Sequence, residues 1–437
     1  MSTVVAARHP YIQALLSDIE SPRGGASWLN ERRSRALERA NALTVPTTRD
    51  EEWRFTDVAP LTRLRLRRAS AIPGLTRNEI ASFLAPEATT QLVFVDGVYV
   101  PELSVTAGLP YGVVVGNLAG ALATHGAVLE AHLARHAGFD RDVFAAVNTS
   151  HLRDGAFVWI ARQQKCPTPV ELLFVATQEA VTYPRCLVVA EAGAECTVIE
   201  QYATRADAGY FTNAVTEIVV GEEARVRHVK LQQEAKSAFH IASCAVAVER
   251  DATYASHTVT LGARLSRQNL DVLQRGEGVQ VGLDGLTLAA GRQLADTHTL
   301  MDHGRPNGRC RQLHKCIVGG AAHAVFNGKI VVRPGAQLTN SAQESRNLLL
   351  SEKAHVDTKP QLEIFADDVR CTHGATVGQL DAEQLFYLRS RGLVEESARS
   401  LLIYAFGAEL IDRIPVQSLV EQLENIVMMQ TQSAGNS

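Results

Sequence analysis

The chain has 437 residues, 46% of them hydrophobic and 21% charged, with 43 Lys and Arg against 47 Asp and Glu for a formal net charge of -4. This length accommodates two or three domains around a large core, and the composition excludes an intrinsically disordered chain. The slightly acidic balance argues against a nucleic-acid binder, and seven dispersed cysteines with no Cys-x-x-Cys pair exclude a zinc ribbon and disfavour a disulfide framework. No basic segment followed by a sustained apolar core opens the chain and no run reaches 18 apolar residues, so a cytoplasmic protein without membrane contact is expected.

In chain order, residues 1–150 read as a mainly helical domain. Pro10 suits a first helical turn, and Tyr11, Ile12, Leu15, Leu16 and Ile19 follow at helical spacing. Ser27 is a candidate cap for a second helix with Trp28, Leu29, Ala36, Leu37, Ala40 and Leu43 on its apolar side. Arginines cluster in "NERRSRALER" (30–39), where interleaved Glu31 and Glu38 suggest a solvated face, and in "LTRLRLRR" (61–68), which suits an exposed edge strand. "QLVFVDGVYV" (91–100) predicts a hairpin about Asp96-Gly97, and "AVLEAHLARHA" (127–137) a short helix.

Residues 151–378 have a different texture. "CLVVAEAGAECTVIE", "EIVVGEEARVRHVKL", "AVAVERDATYASHTV" and "KIVVRPGAQLTNSA" each carry an apolar strand, a short charged or glycine-containing turn and a second alternating strand. The turns are too short for hairpin geometry throughout and no helices intervene, so stacked coils along one axis remain: a mainly β chain with a parallel β-helix core. A β-sandwich shares the alternation and is the second reading. The strict hexapeptide pattern of left-handed solenoids is missing, which favours a right-handed parallel β-helix.

Residues 379–437 are helical again. Asp381 is a candidate N-cap with Gln384 three residues on, and Gly392 a C′ glycine. Leu401, Leu402, Ala405 and Leu410 are expected to face one way, and after Pro415 a last helix carries Val416, Leu419, Val420, Leu423 and Ile426 on one stripe. Such stripes serve either the protein's own core or a partner groove.

No phosphate-binding loop, dinucleotide fingerprint, H-E-x-x-H or G-x-S-x-G is present, and the glycines of "QRGEGVQVGLDGL" (274–286) read as solenoid turns. The informative pair is Cys371 and His373 in "EIFADDVRCTHGATVGQLD" (363–381). In a strand, residues i and i+2 share a face with Cβ atoms roughly 7 Å apart, so both can serve one metal centre or cluster. With Val369 on the same face, spacing alone favours the other reading, a buried thiol and a hydrogen-bonded core histidine. His298, His303 and His314, near Cys310 and Cys316, match no zinc spacing and read as loop residues.

"PTTRDEEWRFTD" (46–57), "PGAQLTNSAQESRNLLLSEKAHVDTKPQLEIFADDVRCTHGATVGQLD" (334–381) and "EQLFYLRSRG" (383–392) resemble the SufB/SufD family of iron–sulfur cluster assembly proteins over nearly the whole chain. The segment around Gly374 and Ala375 is similar to the SufD side of that family, since a glutamate-containing signature is expected there in SufB. The resemblance implies an N-terminal helical domain, a right-handed parallel β-helix and a C-terminal helical domain. It further implies a non-catalytic scaffold subunit that pairs with SufB through the β-helix and docks the SufC ATPase through its C-terminal helices, one SufB and one SufD with two SufC. A homodimer when the chain is expressed alone is a further expectation. By the same resemblance His373, and with it Cys371, meets transient iron or a nascent iron–sulfur cluster at the SufB interface, with no cofactor bound stably by the chain alone. The alternatives are an adaptor of the same complex without metal contact and a β-helix carbohydrate-active enzyme, for which no acidic pair stands out.

Overall fold

The computed structural model of the chain describes residues 9–17, 19, 25–69 and 74–434. From Arg185 onward the strands alternate between two sheets, each strand pairing in parallel with the one two places along. Arg225, Thr253, Gln280, Arg309, Asn340 and Arg370 therefore stack in one column, 27 to 31 residues apart along the chain. This is a β-helix, as the short-turn units predict. Sheet A ends at strand Arg370–Gly378 and sheet B at strand His355–Ile364.

The turns that lead from sheet B to sheet A explain how such degenerate repeats stay in register. Gly193, Glu223, Asp251, Gly278, Asn307 and Leu338 occupy equivalent places, all with φ between 55° and 72°. Each donates its N–H to a carbonyl of the next coil, those of Glu222, Arg250, Glu277, Pro306, Gln337 and Asp368 in turn. A left-handed residue aims the N–H along the stack, a role that glycine fills at no steric cost and Asp or Asn at little; Leu338 holds it against its Cβ.

Inside the coil, alternate residues meet across the two sheets. Cys196, Val226, Tyr254, Val281 and Cys310 form one buried column. A neighbouring interior region is polar. Glu200 accepts from His228 Nε2 at 3.0 Å, Tyr202 Oη at 2.7 Å and Thr216 Oγ1 at 2.9 Å, and His240 Nδ1 lies 2.7 Å from Glu234. Burial alone would push the Glu200 carboxyl up, but the His228 hydrogen bond and the charges of His228 and Lys230 hold it at about 2. Its contribution to stability is thus present above the unfolded value near 4.3 and lost as pH falls toward 2.

The outer faces are covered from opposite ends of the chain. Tyr11, Ile12, Leu15, Ala36 and Ala40 pack over sheet B against Phe211, Val215, Phe239 and Ile241. Helices Glu395–Ile411 and Gln417–Ala434 pack over sheet A, with Ile403, Leu410, Ile411, Leu419 and Leu423 against Leu231, Leu286, Leu313 and Ile317. No helix among the described residues is long and apolar enough to cross a membrane.

Several local expectations are corrected. "LTRLRLRR" is no edge strand: a short helix, Ala59–Thr62, precedes irregular chain, and Leu61 of the helix with Leu64 and Leu66 after it tuck into the sheet B cover. Ser27 is the first helical residue rather than the cap, which is Ala26. The arginines after it are not merely solvated, because Arg32 is buried over the Trp28 ring and Arg33 Nε donates to the Leu152 carbonyl at 2.6 Å. In helix Glu395–Ile411 the buried face is Ile403, Gly407, Leu410 and Ile411, while Leu401 and Ala405 point to solvent. The hairpin forms as expected, with Asp96 and Gly97 both at positive φ, and its first strand, Thr90–Val95, also pairs in parallel with Val170–Ala176 in sheet A.

Glu171 marks that junction. It is fully buried, accepting from the Ala85 N–H at 3.2 Å and Gln91 Nε2 at 3.0 Å, and burial pushes its carboxyl up to about 8 despite those bonds. A raised folded value means full stability below about 4.3 and progressive loss as pH rises toward 8. Glu171→Gln is therefore expected to raise stability by roughly 3 kcal/mol at pH 7 and by little at pH 4, read from urea unfolding at the two pH values.

Candidate functional site

The last strand, Arg370–Gly378, pairs with Asn340–Leu349 so that Cys371 stands beside Ser341 and His373 beside Gln343. Both continue inward-facing columns. Cys371 extends the one through Val281, Cys310 and Ser341, and His373 ends the one through Leu283, Gln312 and Gln343. The shared face predicted from i, i+2 spacing is therefore present. The strand runs to Gly378, with Gly374 inside it.

Exposure of His373 follows from its place in the stack. Arg370–Gly378 belongs to the final coil, among the described residues no further coil stacks upon it, and the interior columns open to solvent there. Along the strand only Cys371 is partly shielded, packing on the solenoid core, and burial pushes its thiol up. Behind it Cys310 is fully buried with its thiol pushed up to about 12. Cys371 thus behaves as the outermost member of a core column and His373 as a free imidazole at its mouth.

The residues just inside that mouth are polar and incompletely paired. The side chain of Gln343 lies directly over the Gly328 backbone on the opposite sheet, leaving no room for a Cβ there. Both its amide atoms are buried without a hydrogen-bond partner, as is Thr358 Oγ1 on the last strand of sheet B. His303 spans the interior, Nδ1 to Gln274 Oε1 at 2.7 Å and Nε2 to Ser341 Oγ at 3.3 Å, and burial lowers it to about 4, so it is neutral. Unpartnered buried polar atoms carry a desolvation cost, and they occur inside the solenoid at Gln201 as well as at this end.

The other soft-ligand residues are strand residues, not loop residues. His298 and His303 lie on Leu294–His303, and His314, Cys310 and Cys316 on Arg309–Val318. His314 is buried against Phe326 with its imidazole lowered by burial to about 3. His298 is held between Asp296 at 3.0 Å and Glu52 at 3.3 Å; burial opposes its charge, but these carboxylates raise it overall. Of these, Cys310, buried in the Cys371 column, lies near the pair.

Sequence reasoning missed the role of the "PTTRDEEWRFTD" segment in this frame. Thr56 Oγ1 donates to Asp296 at 2.5 Å, Arg267 Nη1 donates to the Glu52 carbonyl at 2.8 Å, and the Arg267 guanidinium sits 3.9 Å from the Trp53 ring centre. The segment borders a cleft of about 830 Å³ on sheet B. The N-cap Asp142 in that cleft is already engaged, accepting from Phe144 N at 2.8 Å and from Ser243 Oγ at 3.2 Å.

The fold defines the class: a parallel β-helix with helices over its outer faces and an open last coil that carries Cys371 and His373. Residues 173–406 match the family model of the SUF system FeS cluster assembly SufBD core domain, and residues 18–172 that of the SufBD protein N-terminal region. An iron–sulfur cluster assembly SufBD family protein of Synechocystis is 40% identical over 434 residues, covering 96% of this chain and 94% of that protein. The iron–sulfur cluster assembly protein SufD of Escherichia coli is 36% identical, covering 87% and 88%, and SufD of Bacillus subtilis 26% identical, covering 98% of both. The chain belongs to the SufB/SufD family of iron–sulfur cluster assembly proteins.

Proposed function

We propose that this chain is the SufD-type scaffold subunit of an iron–sulfur cluster assembly complex, non-catalytic itself, paired with a SufB-type chain across the open last coil. The observation that carries this reading is that last coil: exposed on nearly every residue from Arg370 to Gly378, with Gln343 and Thr358 unpartnered behind it. A partner strand there would satisfy the edge and cover the interior mouth, bringing His373 to the junction where iron and sulfide are joined. The imidazole supplies a borderline ligand suited to iron, and the cluster is cargo, passed on rather than retained.

A SufC-type ATPase would dock on the C-terminal helices, although not through the stripes picked out by periodicity. Val416, Leu419, Val420 and Leu423 are buried against sheet A of this chain, so deleting everything after Gly392 would also strip the cover from Leu286 and Ile317. Helix Ala382–Ser390 instead buries none of its residues, and Phe386, Tyr387 and Val394 are 74%, 56% and 67% exposed beside it. Such an apolar set on one short helical hairpin suits partner docking.

The test is co-expression of the tagged chain with SufB- and SufC-type partners of the same genome. A complex of all three that forms clusters on reconstitution is expected, and recovery of the tagged chain without SufB would overturn the assignment. Phe386→Asp with Val394→Asp should cut SufC recovery at least tenfold while SufB pairing persists; unchanged SufC recovery would move the docking surface elsewhere.

A further inference from the structure

We propose that His323, His355 and Asp357 form a surface site for one divalent transition-metal ion, of the iron(II) or zinc(II) class, on sheet B of the last two coils. His323 and His355 are register partners on adjacent parallel strands, and Asp357 lies two residues beyond His355 on the same face. Asp357 Oδ2 is 2.7 Å from His323 Nε2 and 3.2 Å from His355 Nε2, and one ligand atom from each residue falls within 4.8 Å of the others. A tetrahedral ion with ligands at about 2.0–2.1 Å separates its donors by roughly 3.3 Å, so small rotamer adjustments close the site.

The surroundings favour an ion over a plain ion pair. The lysines of this face are engaged elsewhere, Lys329 with Glu363 at 2.6 Å and Lys359 with Glu51 at 2.8 Å. Among the described residues the ion-pair partners of Asp357 are the two histidines. Two neutral imidazoles with the proton on Nδ1 and one carboxylate make a three-ligand N2O set, which suits iron(II) or zinc(II) and leaves further positions for water or an exchanging ligand. His355 has 65% of its side chain exposed, so an ion can enter from solvent, while the strand ladder holds the Cα positions fixed. The trio lies on the opposite sheet from His373 and stands apart from the reading given to that residue.

The test uses the untagged full chain, stripped with chelator and titrated anaerobically with iron(II), with zinc(II), and with cobalt(II) as an absorption probe; magnesium(II) is the hard-cation control. One tight equivalent of iron(II) or zinc(II) is expected, and the two titrations decide which is preferred. His323→Ala and Asp357→Asn should each weaken it at least about tenfold, whereas His373→Ala should bind as the native chain does. His355→Ala, at the exposed imidazole, repeats the test should His323→Ala fold poorly. Absence of a stoichiometric site, equal binding by the trio variants, or loss of the site in His373→Ala would each overturn the proposal, the first leaving a hydrogen-bonded trio only.

Discussion

His373→Ala is expected to yield a folded chain that still co-purifies with its SufB- and SufC-type partners, yet fails to support cluster maturation in cells. The imidazole is exposed at the end of an interior column, so its removal leaves no cavity and costs within about 0.5 kcal/mol of stability. Cluster chemistry at the same position would lose a nitrogen ligand that alanine cannot replace. Cys371→Ala should be the milder change, because that thiol packs on the core and burial disfavours the thiolate that would ligate iron. The measurement is complex yield beside the activity of a cluster-dependent reporter enzyme. Loss of yield and activity together would assign His373 to pairing, and retention of both would remove it from the site.

The largest stability effect is expected at Glu217. Its side chain is fully buried and forms an ion pair with equally buried Arg185, which also donates to Asn148 Oδ1 and Thr149 Oγ1 at 3.2 Å. The carboxylate further accepts four backbone N–H groups, from Ala134 at 2.6 Å, Arg135 at 2.8 Å, His136 at 2.7 Å and Ala137 at 3.0 Å. Burial would push this carboxyl up, but the Arg185 charge and the backbone donors hold it below its usual range. Glu217→Leu strands a guanidinium and four N–H groups at once, and should cost about 5 kcal/mol or abolish soluble expression. Arg185→Met leaves the carboxylate within its ring of N–H donors and should cost nearer 3 kcal/mol. Thermal midpoints of both variants decide the ranking; equal small shifts would show that the pair does not anchor the 134–137 segment to the solenoid.

Acid sensitivity follows from the same groups. Glu200, Glu217 and Asp296 are all held below their ordinary values inside the fold, so each contributes stability above its unfolded value near 4 and loses it as pH falls further.

What could be read from the chain alone was whatever has a short period. Alternation in the strands, the Asp381 cap and the Gly392 terminus are local and appear where the pattern puts them, whereas of the glycines read as turns in 274–286 only Gly276 and Gly278 fall in one, Gly282 and Gly285 lying inside strand Gln280–Ala289. The i, i+2 rule likewise put Cys371 and His373 on one face. The resemblance carried by residues 334–392 supplied the family and the expected chemistry, which no periodicity contains.

Only the tertiary structure decided which of two identical patterns meets solvent. Val416, Leu419, Val420 and Leu423 have the stripe of a partner helix, yet they face sheet A of their own chain, because burial depends on what lies opposite and not on spacing. His373 shares its interior column with buried Gln312 and Gln343, and differs from them solely in belonging to the last coil, where stacking stops. His323, 32 residues before His355 in the chain, becomes its neighbour only through the register of stacked coils. A sequence determines the repeat; the end of the stack, and therefore the site, is a property of the assembled coil.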